Sequence, residues 1–567
     1  MLDVKRVLKA APTKMRSQEP LQQLWTPWGE QIAGEWLSSN DAHKAFCPAK
    51  DGERKLENGR TPILNEHPRP TMVRGNHTML NGFWDYAIVS IPESGNGSKW
   101  RKSAAVLTRD EAVQAVKEAA IPETFDGKIL VPFSPESALS GVHQTIYPDN
   151  MIWYRTVVHP VTLGGGEAVR QIGDANRLIL HFEAVDYVCA CFINGQFAGV
   201  HVGGYLPFDV DISAFVDPDD AFEIALCVYD PNDSGTQMRG KQKIEREGIW
   251  YTAQSGIWQS VWMEIVPEAY MQTLTLKGSA DGRLFIRAEI GGDKPNAKLH
   301  IVVADPADGT IVADELLPAG MRKVRTEIAT RAEHLWSPND PYLYDVTATL
   351  EFGAAKSQGK QEKLQQESQE IQEKPAKSQE KQDIVRSYCA FRTVEIKPDL
   401  KGIARFHLNG KPVFLKGVLD QGYWPDGLLT APSDEALVHD ITAMKESGFT
   451  MLRKHIKIES ARWYYHCDRL GMLVWQDAVS GGGEYNAWAT NRKPTLMRAT
   501  WNKYRDDTAK HFAALGADDS TYRRDWSRTC DAMVHMLAGH PSIVTWVLFN
   551  EGWGQFDACD AAERIHA

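Results

Sequence analysis

The chain has 567 residues, of which 43% are hydrophobic and 10% aromatic, and a formal net charge of -11. That length holds roughly three or four domains with sizeable cores, and the acidic balance, with no basic cluster against it, excludes general nucleic-acid binding. No run is long enough to cross a bilayer, residues 1–17 lack the apolar core of a signal peptide, and the eight cysteines form no disulfide framework, so a cytoplasmic, reduced protein with no membrane partner is expected.

Residues 1–60 read as an arm of mixed character, irregular or partly helical. From 61 to 267 short apolar runs alternate with turn signals: 178–182, 187–193, an Asn194-Gly195 hairpin turn, then 197–202. This is the pattern of an all-β sandwich. Cys189 and Cys191 alternate on one strand and share a face. A metal pair is conceivable there, but core packing is the stronger reading because a free thiol behaves as a small hydrophobe. Residues 268–397 hold further alternating strands, among them 284–289 and 298–303.

Within that second region lies a low-complexity insert, 354–383, rich in Lys, Gln, Glu and Ser. Lys356-Ser357-Gln358-Gly359-Lys360-Gln361-Glu362 nearly recurs as Lys377-Ser378-Gln379-Glu380-Lys381-Gln382-Asp383. Leu350 and Ile384 bracket it as the ends of neighbouring strands. Its composition cannot bury enough apolar surface to offset ordering entropy, so a disordered or loosely helical extension is expected. A partner-binding coiled coil is the alternative, without sustained heptads to support it.

From 398 onward the pattern changes to strands alternating with helices. Strands are expected at 412–418, 451–455, 472–477 and 543–551. Helices are expected at 433–447, capped by Ser433 and stopped at Gly448, at 459–470, ended by Gly471, and at 524–537. Such βα units surround a parallel sheet. A dinucleotide-binding sheet has the same alternation, but the Gly-x-Gly-x-x-Gly turn is absent after the first strand. The continuous apolar run 543–549 suits a strand buried on both faces, and it delivers Asn550 and Glu551 at its C-terminal edge, where a (β/α)8 barrel keeps its chemistry.

The chain resembles glycoside hydrolase family 2, the β-galactosidase, β-glucuronidase and β-mannosidase family. The matches follow the family's order: Leu24-Trp25-Thr26-Pro27-Trp28-Gly29-Glu30, Pro68-Arg69-Pro70, Leu80-Asn81-Gly82-Phe83-Trp84-Asp85, Val131-Pro132-Phe133-Ser134-Pro135-Glu136-Ser137, Phe182-Glu183-Ala184-Val185-Asp186-Tyr187, Gly203-Gly204-Tyr205-Leu206-Pro207-Phe208, Ser255-Gly256-Ile257-Trp258-Gln259, Leu335-Trp336-Ser337-Pro338 and Phe391-Arg392-Thr393. The resemblance implies a multidomain fold. After the arm come a jelly-roll, sugar-binding-like β-sandwich (61–267), an immunoglobulin-like β-sandwich (268–397) and a partial TIM barrel (398–567).

Retaining glycosidases work with two carboxylates about 5–5.5 Å apart, one protonating the leaving oxygen and later activating water, the other attacking the anomeric carbon. By resemblance Glu551 is the general acid/base, which must hold a proton before attack; burial beside aromatics such as Trp546 and Trp553 would favour that. Asn550 matches the asparagine that hydrogen-bonds the sugar 2-hydroxyl. The family's nucleophile is a glutamate at the end of strand seven, and four strands are read here, so the nucleophile is expected to be absent from these 567 residues and the chain alone inactive. Further substrate-binding candidates stand at strand ends. They are Asp420 and Gln421 after strand one, where the family commonly has a histidine with an acidic neighbour, His455 after strand two, and Asp477 after strand three, where Gln476-Asp477 replaces the usual Asp-Glu. Gly481-Gly482-Gly483-Glu484 reads as a flexible loop near the site, not a phosphate loop. Trp424, Trp488 and Trp553 could serve as sugar-stacking platforms or simply pack. No cofactor is required; a divalent cation on Glu484 or Asp477 is the one compatible with galactosidase-type members.

The resulting expectation is a β-galactosidase-like glycosidase acting on a carbohydrate substrate, present here in incomplete form. A homo-oligomer is compatible with it. The alternatives are a non-catalytic carbohydrate-binding or scaffold protein and half of a split enzyme.

Overall fold

The computed structural model describes residues 23–37, 62–91, 106–159, 163, 167–246, 248–292, 294–352, 381–484, 486–488, 492–497 and 506–566. Most of the arm therefore lies outside the described residues. The part that is described forms a short helix, Pro27–Ile32, with proline in its first turn and a Thr26 cap that accepts from the Gly29 amide. Thr26 also donates twice to Asp426, through its amide and its hydroxyl at 2.7 Å each, which fastens this piece to a loop four hundred residues away.

Two sheets face each other across the first sandwich. One has four strands in the order His77–Met79, Val261–Pro267, Asn176–Phe182, Phe208–Asp211. The other has six: Gly127–Val131, Gly82–Ser90, Asn150–Val158, Phe222–Tyr229, Val188–Ile193, Gln196–Val202. Asn194 and Gly195, both at positive φ, make the two-residue turn between the last pair. Cys189 and Cys191 sit in the apolar core between the sheets, where burial pushes the Cys191 thiol up to about 12. Among the described residues no three His, Cys, Asp or Glu side chains converge to hold a metal.

The region is not all β. A helix, Arg109–Glu118, covers the outer face of the six-stranded sheet, with Ala112 and Val116 packed on Val188, Ala190 and Phe192. This explains why every residue of Val188–Ile193 is buried: one face meets the core and the other meets the helix. The signal for the helix was present as a capping box, in which Thr108 and Glu111 bond each other's backbone amides.

The second sandwich pairs a three-stranded sheet (Tyr270–Gly278, Arg283–Gly291, Lys323–Ala329) with a four-stranded one (Ile311–Pro318, Lys298–Ala304, Tyr344–Phe352, Lys381–Cys389) around one apolar core. The strands flanking the insert are antiparallel neighbours, but the pairing runs further into it than composition suggests: Leu350 opposes Asp383, and Phe352 opposes Lys381. Residues 353–380 lie outside the described residues. Asp383 is not insert at all. It is buried, and its carboxylate accepts from Arg74 (2.7 and 2.9 Å) and from the Met271 amide (2.8 Å). Arg74 in turn donates to Glu264 of the first sandwich at 2.8 Å, so Asp383 ties the two sandwiches together.

A small antiparallel sheet, Val394–Pro398, Ala404–Leu408 and Lys411–Pro412, precedes the βα units. Its Asn409-Gly410 turn, again at positive φ, takes Pro412 into a hairpin, so the first parallel strand starts later than its apolar run and spans Gly417–Asp420. Met451–Lys454, Leu473–Asp477 and Ile543–Val547 follow in sequential parallel order. The helices Asp434–Glu446, Ala461–Leu470 and Ser520–Leu537 pack on one side, with Leu437, Ile441, Trp463, Tyr464, Trp526 and Met533 in a shared core. Ile543–Val547 is only half-buried beyond Ile543, contrary to the fully buried strand its composition suggests. Among the described residues it has one strand neighbour, so one edge and much of one face lack cover. No helix among the described residues is long and apolar enough to cross a membrane.

Candidate active site

The register of the parallel strands decides which strand-end residues meet. Asp420, Lys454 and Gln476 lie side by side, two residues beyond Val418, Leu452 and Val474, which pack on the helices. Because side chains alternate along a strand, that row faces the helices. Arg453 and Asp477 belong to the opposite row and face the interior of the curved sheet.

On the interior face Asp477 is wholly buried. Its Oδ1 and Oδ2 accept from Nε and Nη2 of Arg453 at 2.9 and 3.0 Å, a bidentate pair. Oδ2 also accepts from His455 Nδ1 at 3.1 Å and from the Ile456 amide at 3.3 Å. Arg453 Nη2 then donates to Asn550 Oδ1 at 3.0 Å. Since guanidinium only donates, this contact fixes which end of the Asn550 amide is oxygen and leaves its NH2 as a donor. Asn550 Nδ2 and His455 Nε2 are both buried and have no hydrogen-bond partner among the described residues. Buried polar atoms are ordinarily satisfied, and these two orphans stand after the second and fourth parallel strands, on either side of the strand that carries Asp477. Arg453, which organises the cluster, was not singled out from sequence; the alternation of the strand would have placed it on the same face as Asp477.

Other candidates fall elsewhere. Asp420 pairs with Lys454 at 3.0 Å and accepts from the Gly422 amide at 2.8 Å. It lines a cavity of about 350 Å³ on the helix side with Tyr423, Trp424 and Asp440, apart from Asn550 and His455. Lys454 and the neighbouring Lys457 both bond Glu459, and Lys457 also donates to the carbonyls of Gly422 and Leu429, clasping both ends of the loop after the first strand. Gln421 is exposed. Glu551 follows Asn550 but is exposed and sits at φ +53, in a turn that carries it away from the strand. The enclosure by Trp546 and Trp553 that an acid role suggests is not built by these residues. Trp553 is buried, stacked on Trp250 with ring centroids 5.1 Å apart. Trp424 is buried and Trp488 about half exposed, so only Trp488 presents an open ring.

The glycine loop is packed rather than loose. The Gly482 amide donates to Thr236, the Gly483 amide to Gly516, and a Cβ on Gly481 would lie 2.6 Å from the Gln237 carbonyl oxygen. Glycine is needed there for close approach of two backbones. A divalent cation does not fit the residues suggested for it: both oxygens of Asp477 already accept from a guanidinium, and Glu484 is exposed.

A segment of the first sandwich crosses these loops, which sequence reasoning did not place. The amides of Arg239 and Gly240 donate to Ser480, and Arg239 Nη1 donates to Gly482. Trp250 stacks on Trp553, the Tyr251 and Tyr423 rings meet in a tilted pair with centroids 4.6 Å apart, and Tyr423 donates to the Thr252 carbonyl. Residues 239–252 thus touch the connections after the first, third and fourth strands.

Two family profiles match the chain: "Glycosyl hydrolases family 2, sugar binding domain" over residues 78–267, and "Glycosyl hydrolases family 2, TIM barrel domain" over residues 399–566, together more than half of it. The chain belongs to glycoside hydrolase family 2. Among curated relatives it is 22% identical to a beta-galactosidase of Streptococcus thermophilus, over 69% of this chain and 33% of that protein. It is 22% identical to the beta-galactosidase of Lactococcus lactis subsp. lactis (86% and 42%) and 24% identical to a putative beta-glucuronidase of Formosa agariphila (68% and 39%). The chain therefore spans about a third to two fifths of the length of these relatives. Among solved structures, a beta-D-glucuronidase of Dictyoglomus thermophilum superposes with TM-score 0.57 at 16% identity, covering 88% of this chain and 71% of that one. A GH2 beta-galacturonidase from Eisenbergiella tayi gives 0.56 at 15% identity, covering 88% and 69%. These likenesses carry the fold.

Proposed function

We propose that the strand-end cluster is the sugar-binding part of a β-glycosidase active site, working by retaining double displacement. The observation that carries this reading is the bond from Arg453 to Asn550 Oδ1. It leaves the Asn550 NH2 as a donor for a sugar hydroxyl, next to Glu551, while His455, held through Nδ1 by Asp477, offers Nε2. Glu551 then protonates the leaving oxygen and afterwards activates water. Substrate and further barrel units complete the enclosure that its exposed turn lacks here. We place the nucleophilic carboxylate on a later barrel strand, so these 567 residues bind sugar without turning it over. Asp477 holds Arg453 and His455 in place and takes no part in proton transfer.

The test is hydrolysis of nitrophenyl and alkyl β-glycosides by the complete translation product that contains this segment, beside the 567-residue chain. Glu551→Gln in the former should lower turnover of alkyl glycosides by about 10²–10⁴-fold. Nitrophenyl glycosides, whose leaving group needs little protonation, should lose less in the glycosylation step. Equal losses on both would refute the acid role, and Glu551-dependent turnover by the 567-residue chain alone would refute the placement of the nucleophile.

A further inference from the structure

The segment that crosses the strand ends is cationic. Between 239 and 252 its sequence carries Arg239, Lys241, Lys243 and Arg246 against two acids, Glu245 and Glu247, in a chain whose formal charge is -11. Two of the four cations are already committed. Arg239 is half-buried and donates to the Gly235, Gln237 and Gly482 carbonyls, and Arg246 donates to Thr252 Oγ1 at 2.7 Å. The other two have no carboxylate partner among the described residues: the Lys241 ammonium stands 5.3 Å from the centre of the Trp553 ring and Lys243 stands 4.4 Å from that of Trp250. Both are half-buried, their heads held on the faces of a stacked tryptophan pair that begins two residues after Glu551.

We infer that this site takes an acidic glycan, a β-linked saccharide carrying a carboxylate or sulfate group, with Lys241 and Lys243 receiving the anion. The inference rests on the reading of Asn550 and Glu551 as a sugar site. An indole face holds each ammonium in place while leaving its N–H donors available, which is the arrangement an oxyanion needs and a neutral sugar does not exploit. An acidic surface elsewhere repels such a ligand, so the local cations have to supply its attraction. The same contacts also brace the segment, and the experiment separates bracing from recognition.

The 567-residue chain is titrated calorimetrically with 4-nitrophenyl β-galactoside, β-glucuronide and β-galacturonide and with a sulfated 4-nitrophenyl β-galactoside, at low and at physiological salt. The readout is the ratio of anionic to neutral affinity in the wild type and in Lys241→Gln/Lys243→Gln, with a thermal melt to verify that the variant is folded. An anionic preference of about tenfold or more, the worth of one charge-assisted hydrogen bond, which weakens with salt and falls towards unity in the double variant, is the expected result. The carboxylate and sulfate arms then decide which anion is preferred. Neutral binding that Asn550→Ala abolishes, with no anionic preference, overturns this inference and leaves the sugar site standing. A preference that survives in the double variant also overturns it. No binding by any probe sinks the sugar-site reading, and this one with it.

Discussion

Asp383 offers a sharp test of where the low-complexity segment ends and the folded sandwich begins. Replacing residues 353–380 with a four-residue turn between Phe352 and Lys381 removes no described contact. Loop-closure entropy changes by only about 1.5–2 kcal/mol, in favour of the folded state. Extending the same deletion by three residues, or making Asp383→Ala alone, acts on a different scale. The Arg74 guanidinium, 6% exposed, loses two of its bonds and the Met271 amide loses its acceptor, leaving Glu264 and the Met271 carbonyl to hold a buried cation. Breaking a buried pair by removing one partner costs about 3–5 kcal/mol. For a unit the size of this sandwich that lowers the midpoint by on the order of 10–20 °C. Differential scanning calorimetry of the three proteins reads the result directly. An Asp383→Ala midpoint within about 3 °C of wild type, or a comparable fall on removing 353–380, would refute the assignment of Asp383 to the junction.

Two further outcomes follow from buried carboxylates. Burial pushes the Glu136 carboxyl up to about 8, against hydrogen bonds from the Ser255 and Ile146 amides. With its folded pKa above its unfolded value near 4.5, it stabilises fully below that value and loses the contribution as pH rises towards 8, by up to about 1.4 kcal/mol per unit. The melting temperature should therefore decline between pH 5 and pH 8 and decline less in Glu136→Gln; an unchanged slope in that variant rejects Glu136 as the cause. Asp477→Ala should cost about 2–3 kcal/mol, below the figure for a fully buried pair because Arg453 is partly exposed, and should weaken saccharide binding along with Asn550→Ala. Urea titration and calorimetry check both parts, and a variant with wild-type stability and affinity would show that Arg453 and His455 hold their places without it.

The order of the βα units, the helix ends at Ser433, Gly448 and Gly471, and the Asn550-Glu551 pair closing an apolar run were all legible in the sequence. Caps, turns and apolar periodicity are local properties, complete within a few residues of chain. Partnership was not legible. Asp420 and Asp477 look alike as strand-end acids, yet register and the alternation of side chains turn one towards the helices and the other towards Arg453 and Asn550. Glu551 looks enclosed by tryptophans in sequence, but Trp553 turns instead onto Trp250, three hundred residues earlier. Asp383 reads as insert by composition and is structure by virtue of Arg74. In each case the deciding contact joins residues far apart in the chain, and no local pattern encodes the position of a partner that only the packed tertiary structure brings within reach.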